Sequence, residues 1–378
     1  MTLSAHQGLL DSLAQRQRLR ELRPVQGIDF ASNDYLGLRM SPLLGELANA
    51  ALQSGIPVGS GAARLLRGNH DPLVALEAEA AAFFGTGGAL YFGSGFAANL
   101  AIFSALPQAR DLVLHDALLH ASSRDGIRLG RAESRAFAHN DLESLRQVLR
   151  DWRRDGGMGR VWIAVESLYS MDGDLAPVAA LAALAEAEDA FLIVDEAHAT
   201  GVLGPGGRGI AAGLAVQERI VLMHGCGKAL AVQGAFVCAA PALISVLVNR
   251  ARSFIYSTAP SPLLAQILRG VLAHLAQDAT RRRALQARVD RIAVRARQIG
   301  LAPSGSHIQP VPVPGDARSL AASEMLAGQG FDIRAIRAPT VPKGAERLRL
   351  SITMNPEDGQ IDLLFDLLGQ LAAKGDIG

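Results

Sequence analysis

The chain has 378 residues, 49% hydrophobic and 19% charged, with Lys+Arg 37 against Asp+Glu 36 and a formal net charge of +1. That length and composition suit a globular protein with a large domain and a smaller one, and the balanced charge supplies no basic field for nucleic acid or an anionic membrane. Cys226 and Cys238 are too few for a disulfide framework or a cysteine-rich metal site, so a reducing cytoplasm is expected and no metal is.

The first 20 residues lack a continuous apolar core and are not read as a secretory signal. Residues 8–21 predict an amphipathic helix ending before Pro24, and 28–30 a short strand followed by the polar turn SNDYLGL at 32–38. A helix over 42–53, the glycine-rich loop GSGAARLLRGN at 59–69 and a helix over 71–83 come next. From Gly88 strands and helices alternate: strands at 90–92, 112–114, 161–165, 191–194, 220–223 and 235–237, with helices at 95–106, 117–130, 141–153 and 177–188. Such alternation predicts an α/β fold with a mostly parallel sheet covered on both faces. Helices over about 262–300 change the pattern. Short strands near 308–313, 332–336 and 347–352, with helices near 318–329 and 356–374, predict a smaller α+β domain. The expected division is an N-terminal segment 1–40, a large domain 41–260 and a small domain 261–378. Residues 229–248 are nearly free of polar residues, but Gln233, Gly234 and Pro241 interrupt them, and a buried strand over 235–239 followed by a helix accounts for them without a membrane span.

Chemistry concentrates between Phe191 and Lys228. The apolar run 191–194 ends on Asp195 and His198, and the run 220–223 is followed by His224 and Lys228. A carboxylate and a histidine at one strand end, with a lysine in the loop after the next, suggest a pyridoxal 5′-phosphate (PLP) site. The lysine amine would form a Schiff base and the carboxylate would keep the pyridine nitrogen protonated. Asp-Glu-Ala-His at 195–198 also spells a helicase box, but the only Gly-Lys pair is Gly227-Lys228, and Ala229 follows it where a phosphate loop needs Ser or Thr. The turn GSGFAA at 93–98, with Asp116 further on, imitates a dinucleotide fingerprint. A nicotinamide-dependent oxidoreductase is therefore the rival of another class, although it would leave Asp195, His198 and Lys228 without a purpose. In both readings a helix N-terminus holds an anion.

Taken together the motifs resemble the α-oxoamine synthases, PLP enzymes that condense an amino acid with an acyl thioester. The resemblance runs nearly end to end: SNDYLGL (32–38), GSG (59–61), SGFAAN (94–99), HAS…DGIRL (120–129), FAHND (137–141), ES.YSMDGD (166–174), VDEAH.TG..G..GRG (194–209), the Lys228 loop, FIYST (254–258) and PTVPKGAERLRL (339–350). It implies the PLP-dependent transferase fold type I (aspartate-aminotransferase-like) and a homodimer with shared sites. Lys228 would be the Schiff-base lysine and the base, which requires its amine, near 10.4 in the reference state, to lose its proton more readily. Asp195 would pair with the ring nitrogen, His198 with the phenolic oxygen, and His120 would stack on the ring. Gly95, Phe96 and Ser170 would line the cofactor, while Ser257 or Thr258 would reach the phosphate in a partner subunit.

The string AIRAPTVPKG (335–344) and the chain's length resemble the family member that joins L-alanine to a pimeloyl thioester, on coenzyme A or an acyl-carrier protein. By the same resemblance Arg20, Asn33, Arg337, Thr340 and Arg349 would contact substrate, Arg349 as a bidentate fork on a carboxylate. A sibling using glycine or serine, and a silent partner subunit, are the other readings. Three positions depart from the family pattern: Gly225 stands where a phosphate-binding threonine is usual, Pro356 and Leu73 where histidines are. For Gly225, either His224 or a backbone amide is expected to take over, or phosphate binding is weaker.

Overall fold

The computed structural model describes residues 3–22, 24–214 and 218–378. The chain forms two compact units: a large one of residues 33–170 and 174–286, and a small one of residues 1–32, 171–173 and 287–378. These bounds differ from the expected ones at both ends of the chain. The N-terminal residues are part of the small unit because Ile28 and Asp29 pair in parallel with Phe331 and Asp332.

The N-terminal part of the small unit contains helix α1 (Ser4–Gln15), which buries no side chain, and strand β1 (Ile28–Asp29). Helix α1 starts and stops earlier than the predicted 8–21, and Gln17 just beyond it has a positive φ of 56°.

In the large unit, α2 (Pro42–Gln53) and α3 (Asp71–Phe84) precede the sheet. Both open with proline in the first turn, where the missing N–H leaves no bond unmade. The sheet then takes β2 (Gly88–Phe92), β3 (Leu112–Asp116), β4 (Glu133–Phe137), β5 (Val161–Glu166), β6 (Phe191–Asp195), β7 (Ile220–Gly225) and β8 (Ala235–Ala239). Its order is β2-β8-β7-β6-β5-β3-β4. β4, β3, β5, β6 and β7 run parallel, and β8 and β2 are antiparallel to their neighbours. Between strands lie α4 (Gly95–Ala105), α5 (Ala121–Leu129), α6 (Leu142–Arg154) and α7 (Val178–Ala187); α8 (Pro241–Arg250), α9 (Arg252–Ile255) and α10 (Pro262–Gln277) follow β8.

Every residue of β5, β7 and β8 is buried, as strands covered on both faces must be, and this made them visible as apolar runs. Edge strand β4 reads Glu-Ser-Arg-Ala-Phe and buries only Phe137, so it carries no such run and was not predicted. Segment 235–239 is the expected buried strand, and among the described residues no helix is long and apolar enough to cross a membrane.

α11 (Thr280–Gln298) leads into the rest of the small unit: β9 (Ile308–Pro312), α12 (Asp316–Gly328), β10 (Phe331–Asp332), β11 (Arg334–Ile336), β12 (Arg347–Ser351) and α13 (Asp358–Ala373). Here β11, β12 and β9 make a three-stranded antiparallel sheet. Two helices, α10 and α11, occupy the span expected to be helical over 262–300.

Candidate active site

The carboxyl ends of β3, β5 and β6 each carry an acid: Asp116, Glu166 and Asp195. Glu166 and Asp195 are register partners on adjacent parallel strands, so they lie side by side. Two buried neighbouring carboxyls resist ionising together. Burial, then the Asp195 charge, pushes the Glu166 carboxyl well above its usual range, with the Lys228 ammonium opposing.

Asp195 is held as a carboxylate acceptor. The amide N–H of Ala197 donates to Oδ1 at 2.9 Å, and the Asn99 carboxamide donates to Oδ2 at 2.9 Å. Asn99 Nδ2 also lies 3.0 Å from Ser122 Oγ, which is 2.7 Å from His120 Nδ1. A polar chain therefore runs from Asp195 through Asn99 and Ser122 to His120. His120 itself caps α5, accepting from the Ser122 amide at 3.2 Å. Desolvation lowers its pKa below the ordinary histidine value; Asp195 pulls it up and Lys228 down. Both Asp195 and Lys228 thus lie within electrostatic reach of this imidazole.

Lys228 sits half-buried in the loop after β7, closed by the Cys226 amide donating to Gly234 O at 2.9 Å and the Ala231 amide to Lys228 O at 2.9 Å. His198 is buried, with Nδ1 2.6 Å from the Tyr35 hydroxyl. The Tyr35 hydroxyl also donates to Asn33 Oδ1 at 3.0 Å. That chain ties the SNDYLGL turn to the Asp-Glu-Ala-His segment. The neighbouring Glu196 is fully buried as an anchor: it accepts from the Ser167 hydroxyl at 2.6 Å and from the Ile210 and Ala211 amides at 3.1 and 2.6 Å.

Ser94 caps α4 by accepting from the Ala97 amide at 3.1 Å, which leaves the amides of Gly95 and Phe96 in the first turn. A Cβ at Gly93 or Gly227 would meet no atom within 4 Å, so backbone is open to approach at both. Phe96 is 47% exposed. Ser170 is half-buried beyond β5, and Thr258 is exposed, bridged to Ala63 of the glycine-rich loop.

A histidine taking the phosphate role is corrected by the structure. His224 is fully buried; its ring stacks on Phe84 at 3.6 Å and 11°, and Nδ1 lies 2.9 Å from Thr200 Oγ1. Burial drives its pKa down to about 3, so the ring is neutral and unsuited to hold an anion. Strand alternation places it on the face of β7 opposite Met223, whose side chain approaches Gly95. Leu73, at one departure from the family pattern, is a fully buried core residue.

The remaining candidates belong to the small unit. Arg349 on β12 is buried and donates to Ser351 Oγ at 2.8 Å. Arg337 donates to Gln17 O, Thr340 is exposed with its amide donating to Arg337 O at 2.9 Å, and Arg20 is exposed. Tyr35, Asn99, Ser122 and Glu166 were not singled out from the sequence, although all four lie in motif strings that were.

The donor set fits PLP: a buried carboxylate for a ring nitrogen, a lysine for an aldehyde, helix-start amides for a phosphate and an imidazole beside them. The family description "Aminotransferase class I and II" matches residues 25–363. The chain belongs to that family and has the PLP-dependent transferase fold type I. A serine palmitoyltransferase from Sphingomonas wittichii superposes with a TM-score of 0.87 at 25% identity, covering 100% of this chain and 99% of that one. An 8-amino-7-oxononanoate synthase from Francisella tularensis gives 0.78 at 27% identity, over 92% and 98%. In sequence, the 8-amino-7-oxononanoate synthase of Chromobacterium violaceum is 43% identical, covering 95% of this chain and 96% of the relative. Within the α-oxoamine synthases the chain belongs with the 8-amino-7-oxononanoate synthases, and it is a PLP-dependent enzyme.

Proposed function

We propose that the chain catalyses the decarboxylative condensation of L-alanine with a pimeloyl thioester, giving 8-amino-7-oxononanoate, carbon dioxide and a free thiol, as a step of biotin biosynthesis. The observation that carries this reading is the grouping of Lys228, Asp195 and His120 at the strand ends of a chain 43% identical to a synthase of that name.

Bound PLP supplies an aldehyde that condenses with amines and a protonated ring that accepts electrons from bonds breaking at the amino acid's α-carbon. Lys228 would hold the aldehyde between turnovers and, as a neutral amine, take the α-proton of L-alanine and return it at the end. Asp195, already oriented by Asn99 and the Ala197 amide, would keep a proton on the ring nitrogen. His198, hydrogen-bonded to Tyr35 through Nδ1, would present its other ring nitrogen to the phenolic oxygen. His120 would cover one ring face and, being neutral, lend a hydrogen bond to the carboxylate that leaves as carbon dioxide. Gly95 and Phe96 amides would take the phosphate, since His224 cannot and Gly225 has no side chain to offer. Ser170 would contact the ring. Thr258 would serve the phosphate of a second copy, in a homodimer working in the cytoplasm. For Arg20, Asn33, Arg337, Thr340 and Arg349 the proposed partner is substrate, with Arg349 on a carboxylate.

Purified protein supplied with PLP should release thiol from pimeloyl-CoA or pimeloyl-carrier protein only when L-alanine is present, with 8-amino-7-oxononanoate identified by mass. A preference for glycine or serine would move the chain to a sibling activity. No uptake of PLP at all would overturn the reading.

A further inference from the structure

The motif Phe-Ala-His-Asn-Asp at 137–141 has no part in the chemistry above, yet His139 sits between two acids. Its Nδ1 is 2.9 Å from Asp116 Oδ1 and its Nε2 is 2.8 Å from Asp174 Oδ2. Asp116 has no exposed side-chain surface and also accepts from the Leu118 amide at 2.7 Å and the Asn140 amide at 2.8 Å. Asp174 also accepts from Asn140 Nδ2 at 2.6 Å and is 37% exposed. Both carboxylates are engaged as acceptors. A neutral imidazole has one N–H, and its second nitrogen would turn a lone pair toward one of them. Only the doubly protonated ring donates to both.

The two acids organise separate turns. Asp116 ends β3, and its contacts with Leu118 and Leu119 shape the turn that delivers His120 to the cap of α5. The Asp174 carbonyl accepts from the Tyr169 amide at 3.0 Å, beside the bridge between Leu168 and Leu175, and so supports the segment leading to Ser170.

We propose that His139 is a positioning residue that works as an imidazolium, clamping Asp116 to Asp174 and thereby holding the turns that carry His120 and Ser170. This rests on the reading that those two residues contact PLP. The groups facing the ring are Asp116 from β3, Asp174 from the segment after β5, Asn140, and Tyr169, whose ring meets it edge-on at 4.4 Å and 89°. Lost hydration alone would lower the pKa of His139; the hydrogen bonds and charges of Asp116 and Asp174 outweigh it and hold it above the ordinary value. The clamp is therefore complete below the ordinary histidine value of about 6.5 and opens as pH rises through the raised pKa.

The test joins a proton titration to a cofactor titration. In full-length protein labelled with nitrogen-15 histidine, the resonance missing from His139→Gln should report an imidazolium at pH 7; a neutral single tautomer there overturns the proposal. PLP affinity of the wild-type chain, read by absorbance of the bound cofactor, should weaken in step with that titration. His139→Gln should bind PLP on the order of tenfold more weakly at pH 7 and lack the step. Asp174→Asn lets a neutral imidazole donate to Asp116 and accept from the new amide, so it should bind PLP like the wild type at pH 7 and also lack the step. A step that persists in Asp174→Asn sinks the clamp even if His139→Gln fails to fold. A wild-type chain that binds no PLP sinks the functional reading instead, and the proton titration then decides the clamp by itself.

Discussion

Asn99 Nδ2 lies 2.9 Å from Asp195 Oδ2, so a helix interior residue reaches from α4 to the carboxylate at the end of β6. Asn99 is 1% exposed and Asp195 7%, which makes the bond a charge-assisted one shielded from water. The same Nδ2 faces Ser122 Oγ at 3.0 Å, linking the carboxylate to the turn that carries His120.

Removing that donor should weaken the hold on the cofactor more than on the fold. Asn99→Ala forfeits a hydrogen bond to a charged group, worth about 1.5–3 kcal/mol, and PLP affinity should fall roughly tenfold to a hundredfold. Absorbance titration with PLP measures it. An unchanged dissociation constant would show that Asp195 is oriented without Asn99.

Lys228→Ala should abolish turnover while leaving the circular dichroism spectrum intact, because Lys228 sits half-buried in a loop and contributes little to the core. Loss of a general base typically costs at least about 10²–10⁴-fold, and loss of the cofactor's anchor adds to that. Thiol release within tenfold of the wild type would reassign the base.

His224 gives a pH-dependent stability with a definite sign. Its folded pKa of about 3 is below the ordinary histidine value of 6.5, so the fold binds fewer protons than the unfolded chain between them. Its contribution is fully present above about pH 6.5 and is lost as pH falls toward 3. His224→Phe keeps a ring against Phe84 and removes the proton site, so urea denaturation should show a shallower acid loss than in the wild type. PLP affinity at pH 7.5 should stay within about twofold, since the ring faces the core. A large fall in PLP affinity would restore His224 to the phosphate site.

Much of this was legible before the structure. Strands β5 to β8 announce themselves as apolar runs because both faces are covered, and the motif strings mark Asp195, His198, Lys228 and His120. What was hidden depends on neighbours far apart in sequence. Asn99 and Tyr35 matter through partners 96 and 163 positions away, which no local pattern encodes. Edge strand β4 shows too little apolar surface to be seen. His224 misled because its distance in sequence from Lys228 is short, while strand alternation turns it to the other face of β7. The pairing of β1 with β10 involves only two residues on each strand, too little to foretell that the N-terminal segment belongs to the small unit.

Glu196 and Gly209 form a matched pair. The Glu196 carboxyl fills the space beside Gly209 so closely that a Cβ there would stand 2.7 Å from Cδ, and Gly209 has a φ of 96° that a side chain resists. The two therefore lock the loop after the Asp-Glu-Ala-His segment from opposite sides. Glu196→Ala strands the part-buried Ile210 amide, the buried Ala211 amide and the Ser167 hydroxyl, a loss of about 3–5 kcal/mol by the usual cost of buried groups left unpaired. Gly209→Ala should cost about 1–3 kcal/mol through backbone strain and crowding. Because the two sites touch, the double variant should lose less than the sum of the singles, as removing the carboxyl makes room for the added methyl. Chemical denaturation of all four proteins measures the coupling. Strict additivity would mean that the loop relaxes away from Glu196 and that the close approach is not what requires glycine.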